Sequence, residues 1–168
     1  MHLFIKKIWY NDNGDINMSY IMDIRKKVGH DPIIYAGATI LVFNDKNELL
    51  LNLRSDTNDW GIPGGGKELN ETLEECAIRE LKEETNLDTS DLELVTVLSG
   101  NEYYYKYPNK DELDCVIALY QVKNYSGNLN INDGESKKLQ FFSLNNLPKL
   151  ESRAKAIINK IKSGEIKI

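Results

Sequence analysis

The stretch Trp60-Gly61-Ile62-Pro63-Gly64-Gly65-Gly66, followed by Arg79-Glu80-Leu81-Lys82-Glu83-Glu84, limits what this chain can fold into more than any other. On a helix, Glu80, Glu83 and Glu84 stand at i, i+3 and i+4, so their carboxylates crowd one face. Like charges at that spacing oppose the helix unless a cation lies among them, and a hard divalent ion such as Mg²⁺ prefers carboxylate oxygens. Leu73, Ala77, Ile78 and Leu81 make an apolar stripe on the opposite face, which seats the helix on a sheet and so fixes the carboxylates. Arg79, four residues after Glu75 and four before Glu83, can orient a carboxylate and offset local charge. Most Glu-rich helices are simply solvated and salt-bridged, and the helix alone would be read that way. Three consecutive glycines tip the balance, because they open backbone conformations closed to other residues and let a ligand or ion approach the main chain.

Periodicity places strands at Ile33–Phe43 and Leu49–Arg54, joined as a hairpin by the turn Asn44-Asp45-Lys46-Asn47. A helix follows Asn70 over Glu71–Thr85. Further strands are expected at Leu92–Leu98, Glu102–Tyr107, Asp114–Val122 and Leu139–Ser143, and a closing helix at Glu151–Lys162. Strands interrupted by one helix and closed by another predict an α/β or α+β domain, a mixed sheet covered by helices. Residues 1–32 are expected to be an N-terminal extension and 33–168 the main domain. Within the extension, Ile21, Ile24 and Val28 have helical spacing, and Asn11-Asp12-Asn13-Gly14 reads as a turn after a short strand. This segment is a candidate flap or homodimer contact.

With 168 residues, 41% of them apolar and 28% charged, the chain suits one globular domain. A net charge of −5 argues against a general grip on long nucleic acid. Small phosphorylated ligands stay open, because a metal can supply the positive charge. No apolar run reaches membrane-spanning length, and no targeting signal is read. Cys76 and Cys115 stand far apart, away from His2 and His30, without zinc-site spacing; buried thiols and a cytoplasmic location are expected.

From Gly65, five residues lead to Glu71, and seven more lead to Arg79-Glu80, with Leu81, Glu83, Glu84 and Leu87 following in step. This resembles the signature box of the Nudix hydrolases, and chance agreement at six fixed positions is on the order of 10⁻⁷ per starting point. Asn86 departs from the pattern, which has glycine there; Asn is the next best residue for a left-handed helix end. Phe141-Phe142-Ser143-Leu144 with Leu147-Pro148 is also similar to this superfamily. The stretch Ser19–Ile34, Gly37-Ala38 and Arg54-Ser55-Asp56-Thr57 resembles a bacterial MutT-like subgroup.

The resemblance implies a Nudix-type α/β/α sandwich that hydrolyses the diphosphate linkage of a small nucleotide-like substrate. It implies Glu80, Glu83 and Glu84 as ligands of Mg²⁺, for which Mn²⁺ can substitute, with the Gly64 carbonyl as a further ligand. The ion would neutralise the diphosphate and activate water. Glu135, six residues before Phe141, is the first choice of general base, with Asp111 and Glu112 as alternates. Glu71 is expected to brace the loop by accepting backbone hydrogen bonds. Arg54 and Lys67 are candidates for phosphate contacts, and Tyr105, among Tyr103, Tyr104 and Tyr107, for stacking on a base or sugar. Trp60 is expected to pack under the glycine loop. The rival readings are a nucleotide sensor without hydrolysis and an RNA 5′-pyrophosphohydrolase.

Overall fold

The computed structural model describes residues 8–10, 16–18, 20–107, 109–131 and 134–168. In order these form β1 (Ile8–Tyr10), β2 (Ile16–Met18), α1 (Tyr20–Val28), β3 (Ile33–Leu41), β4 (Glu48–Arg54), β5 (Trp60–Gly61), β6 (Gly64–Gly66), α2 (Leu73–Thr85), β7 (Asp88–Leu98), β8 (Tyr104–Lys106), β9 (Glu112–Ser126), β10 (Ser136–Ser143) and α3 (Ser152–Ser163). β6, β3, β9 and β7 lie side by side with β8 added on β9, and β10, β4 and β5 form a second sheet. β3 and β9 run parallel while their other neighbours are antiparallel, so the larger sheet is mixed as expected. β1 pairs with β2 alone; the turn expected at 11–14 lies outside the described residues.

β3 is largely buried from Gly37 onward, where β6 and β9 take its two edges and the helices cover its faces, whereas Ile34 near its start is 80% exposed. Ala38, Ile40 and Val42 join Cys76, Ala77 and Leu81 of α2 in one core, whereas Leu41 joins Ala154, Ile157 and Ile158 of α3 in the other. Helices on opposite sides of the β layers give the expected α/β/α arrangement.

Three expectations need correction. The hairpin exists only at its root, where Phe43 bridges Leu49 and the Leu50 N–H donates to the Val42 carbonyl at 2.9 Å. Beyond that point β6 and β9 take both edges of β3, so β4 turns to β10 and β5 in the second sheet. The central helix starts two residues later than expected, because Thr72 is its cap: Thr72 Oγ1 accepts from the Glu75 N–H at 3.1 Å, and Glu75 Oε2 accepts from the Thr72 N–H at 2.6 Å. Of the strand expected over Glu102–Tyr107, the first part is a tight turn at Asn101–Tyr103 that buries Tyr103, and only Tyr104–Lys106 pairs as β8.

α1 is fastened to the domain by polar contacts. Arg25 donates to the Glu112 carbonyl at 2.6 Å, and the Tyr20 N–H donates to Glu68 at 2.8 Å. No helix among the described residues is long and apolar enough to cross a membrane.

Candidate active site

The glycine triplet is a strand, which the sequence reading did not foresee. Thr39, Ala38 and Gly37 of β3 stand opposite Gly64, Gly65 and Gly66 of β6. Gly64 adopts φ of 152°, and a Cβ there would strike the Ala38 carbonyl. At Gly65 a Cβ would come within 2.5 Å of the Glu80 carboxylate carbon. β6 is thus a wall of bare backbone, and α2 lays its acidic face against it.

The capping box sets the phase of α2, and its apolar stripe holds the helix on the sheet. Glu80 and Glu84 are only 3% and 4% exposed, and the Glu83 side chain 8%. These carboxylates are gathered beside the wall rather than splayed into solvent. The helix ends at Asn86 in the left-handed conformation, φ 63°, as its tolerance of that region predicts.

Arg79 ties the cluster together. Its guanidinium donates to Glu71 at 2.7 and 3.1 Å, to Glu80 at 2.7 Å, to Glu83 at 3.3 Å and to the Gly66 carbonyl at 2.8 Å. Burial opposes its charge, but its hydrogen bonds to Glu71 and the charges of Glu80 and Glu83 hold its pKa well above the ordinary value. Glu75, the other carboxylate at helical spacing from Arg79, is turned back into the capping box. Glu71 accepts from the Glu68 N–H at 2.5 Å, the bracing expected of it. Burial alone would raise the Glu71 pKa, and the Arg79 hydrogen bonds overcome this and lower it.

Glu84 faces a different set of donors. Its Oε2 accepts from the Gly64 N–H at 3.0 Å and from Asn52 Nδ2 at 3.3 Å, and the same Asn52 nitrogen lies 3.3 Å from Ser136 Oγ. A carboxylate can only accept, so Asn52 must turn its nitrogen to Glu84. That leaves Asn52 Oδ1, buried beside Gly61, without a hydrogen-bond partner among the described residues. Sequence reasoning missed Asn52, although a polar residue two positions after Leu50, in a row facing α2, was a readable signal. Glu135 directly precedes Ser136, and its carbonyl accepts from the Ser55 N–H at 2.8 Å, so its loop is pinned at the end of β4. Asn132 and Asp133 lie outside the described residues. The alternates are engaged elsewhere: Asp111 with Arg25 and His30, Glu112 with Lys106 and Tyr104.

A narrow cleft lies on the α3 side of β6, lined by Tyr35, Arg54, Gly64, Gly65, Cys115 and Arg153 among others. Arg54 is gripped by Asp56 at 2.6 and 2.9 Å. Burial opposes the Arg54 charge, but Asp56 keeps its pKa above the ordinary value. Tyr105 meets Tyr107 edge-on, ring centres 4.6 Å apart, and carries the Arg153 guanidinium on its face at 4.4 Å. Lys67 turns its ammonium to the Glu68 carbonyl at 3.0 Å. Trp60 packs edge-on against Phe142, and its backbone N–H donates to the Lys149 carbonyl, so it braces the second sheet. Cys76 and Cys115 are free, buried thiols; burial and then the Glu80 charge push the Cys76 pKa up to about 12.

The donor set suits a hard divalent cation: carboxylate oxygens from Glu80, Glu83 and Glu84, backbone carbonyls of β6, and at Gly65 a space that any side chain would fill. As they stand, no three acidic, imidazole or thiol side chains among the described residues converge on a single point. Arg79 draws on Glu80 and Glu83 while Glu84 turns to Gly64 and Asn52.

An acidic helix face set against a backbone-only strand, on a mixed sheet covered by helices, defines a class of small α+β hydrolases. The family model described as the NUDIX domain matches residues 35–161. An ADP-ribose pyrophosphatase from Methanocaldococcus jannaschii is 33% identical over 132 residues, spanning 78% of this chain and 70% of that protein. An RNA pyrophosphohydrolase from Marinomonas is 41% identical over 61 residues, which are 36% of this chain and 38% of that one. Among solved structures, a MutT NUDIX hydrolase from Burkholderia pseudomallei superposes with a TM-score of 0.65 at 22% identity, over 77% of this chain and 98% of that one. The NUDIX domain of Shewanella oneidensis NrtR, solved with ADP ribose, gives 0.61 at 18%, over 88% and 99%. The chain belongs to the Nudix hydrolase family and is a pyrophosphohydrolase. Members of this family typically need divalent metals.

Proposed function

We propose that this chain is a Mg²⁺-dependent hydrolase of a nucleoside-diphosphate derivative or related small nucleotide, with Mn²⁺ able to substitute. The observation that carries this reading is the burial of Glu80, Glu83 and Glu84 against a strand with no side chains of its own. These three, with the Gly64 carbonyl, would hold the cation. When bound, it supplies positive charge to the diphosphate and lowers the pKa of an attacking water.

The chain's own residues then have distinct roles. Arg79 positions Glu80 and Glu83, and Glu71 anchors Arg79 to the loop. Asn52 and the Gly64 N–H fix one oxygen of Glu84. Glu135 takes the proton from water as general base, an effect worth about 10²–10⁴-fold in such enzymes. Arg54 and Lys67 contact phosphate oxygens, and Tyr105 offers a stacking face. Residues 33–168 form the catalytic domain, with 1–32 as an extension and candidate homodimer contact. The free thiols fit a cytoplasmic location.

The ADP-ribose pyrophosphatase relative supports the nucleoside-diphosphate reading. Likeness to RNA pyrophosphohydrolases motivates a second reading, hydrolysis at the triphosphate end of RNA, which the net charge of −5 disfavours. The test is turnover of ADP-ribose, sugar nucleotides, nucleoside triphosphates, dinucleoside polyphosphates and a triphosphorylated RNA, with Mg²⁺ or Mn²⁺. Glu83→Gln and Glu84→Gln should fold and lose turnover on every compound the wild type cleaves. Undiminished metal-stimulated turnover in either variant contradicts the assignment.

A further inference from the structure

The contacts of α1 lead from the N-terminal segment toward the acidic face of α2. None of the nine residues of α1 is buried, although Ile21 reaches the margin of the α3-side core. Polar contacts at its two ends therefore do much of the fastening. Near the C-terminal end the Arg25 side chain, 9% exposed, donates to the carbonyls of Gly29 at 3.1 Å, Asp31 at 2.6 Å and Glu112 at 2.6 Å, with Asp111 at 3.7 Å. One guanidinium thus joins the helix, the turn after it and the start of β9. At the opposite end the Tyr20 N–H donates to Glu68 Oε2 at 2.8 Å, and the Glu68 carboxylate there also meets the positive end of the helix dipole.

Glu68 belongs to the loop 67–72 between β6 and α2. Leu69, the apolar side chain of that loop, is 67% exposed, so polar contacts rather than packing keep the loop in place. Glu68 is tied in two directions: its side chain to α1, and its N–H to Glu71 Oε1 at 2.5 Å. Glu71 in turn accepts from Arg79, and Arg79 donates to Glu80 at 2.7 Å and Glu83 at 3.3 Å. A continuous path of hydrogen bonds therefore runs from the main chain of Tyr20 through Glu68, Glu71 and Arg79 to two of the three carboxylates. A loop with little buried apolar surface opens at low cost, so an anchor from outside decides where it rests.

We infer that Glu68 is a positioning residue, through which α1 holds the loop 67–72 and so keeps the Glu71–Arg79 pair where the cation-binding carboxylates need it. The consequence rests on the proposed cation site; the brace itself does not. Residues 20–28 are then part of the frame of the site, and an event that frees α1 weakens the hold on the ion without touching a ligand.

The test removes one N–H. Proline fits the first position of a helix but carries no donor, so Tyr20→Pro deletes the bond to Glu68 and keeps α1, while Tyr20→Ala keeps the donor and controls for the lost ring. Deuterium exchange followed by mass spectrometry in EDTA reads the brace: amides of 67–72 should exchange at least about threefold faster in Tyr20→Pro and Glu68→Ala than in the wild type and Tyr20→Ala. Calorimetry with Mn²⁺ and no substrate reads the consequence. Removing a group that orients a metal ligand costs about 10–100-fold in affinity, and Glu68 stands two links behind Arg79, so Tyr20→Pro and Glu68→Ala should bind about fivefold more weakly. Glu68→Gln, which keeps an acceptor oxygen, should recover most of the loss. Added to Arg79→Gln, Glu68→Ala should weaken binding no further, because the path is already cut. Circular dichroism and melting temperature check that each variant folds. Unchanged exchange of 67–72 in Tyr20→Pro overturns the brace, and additive losses in the double variant overturn the path through Arg79. Wild-type affinity in both Tyr20→Pro and Glu68→Ala overturns the positioning role and leaves the cation reading standing, whereas a wild type that binds no Mn²⁺ overturns both.

Discussion

Replacing Arg79 by Gln removes the single guanidinium that joins Glu71, Glu80 and Glu83, and its cost can be worked from the contacts. Breaking a buried ion pair from one side costs about 3–5 kcal/mol. Arg79 is 27% exposed, while Glu71 and Glu80 are 15% and 3% exposed, so solvent screens the arginine end and the lower part of that range applies. A loss of about 3 kcal/mol lowers the melting temperature of a domain this size by roughly 6–12 °C. The loss should depend on pH with a definite sign. In the wild type the Glu71 pKa is depressed, so its contribution is present above the ordinary carboxylate range and fades as pH falls through the folded value. In Arg79→Gln, burial acts on Glu71 without its counter-charge, the pKa rises, and protonation relieves the penalty as pH falls. Urea denaturation in EDTA should therefore show the gap between the two proteins shrinking from pH 7.5 to pH 5. A gap below about 1 kcal/mol at pH 7.5, or one unchanged at pH 5, refutes the idea that Arg79 is the counter-charge of this cluster.

The backbone wall should respond differently at adjacent positions. Gly65→Ala should fold but push the Glu80 carboxylate away, lowering metal-dependent turnover by about 10²-fold, as read from kinetics across a Mg²⁺ titration. Gly64→Ala, at φ 152° and against the Ala38 carbonyl, should lose more than about 3 kcal/mol in urea melts. Glu135→Gln should lower kcat by about 10²-fold with KM little changed and remove the acid limb of the pH–rate profile. Asn86→Gly should keep stability within about 1 kcal/mol in the same melts, because either residue accepts the left-handed helix end.

The acidic helix was legible because a periodic element turns sequence spacing directly into geometry. Glu80, Glu83 and Glu84 fall on one face for any helix in that register, and the Asn86 departure could be judged from its backbone preference alone. The start of the helix was misread at Asn70, although Thr72 and Glu75 carry a complete capping box. β6 was not legible, since glycine has no leaning toward a strand, and only its pairing with Gly37, Ala38 and Thr39 makes it one. The Glu71–Arg79 pair escaped notice because Glu71 lies outside the helix and reaches back eight residues. Arg153 depends on Tyr105, nearly fifty positions earlier, and no local pattern reports such a meeting.

β3 and β4 leave a common root at Asn44–Asn47 and part like the tines of a fork. Tyr35, near the start of β3, and Arg54, at the end of β4, line the cleft at the tips, while Val42, Phe43, Leu49 and Leu50 close the handle. Exchange of residues at the tips alters what enters between them without loosening the handle. The cleft at one end of two strands can therefore change its lining while the acidic helix and its glycine support stay as they are.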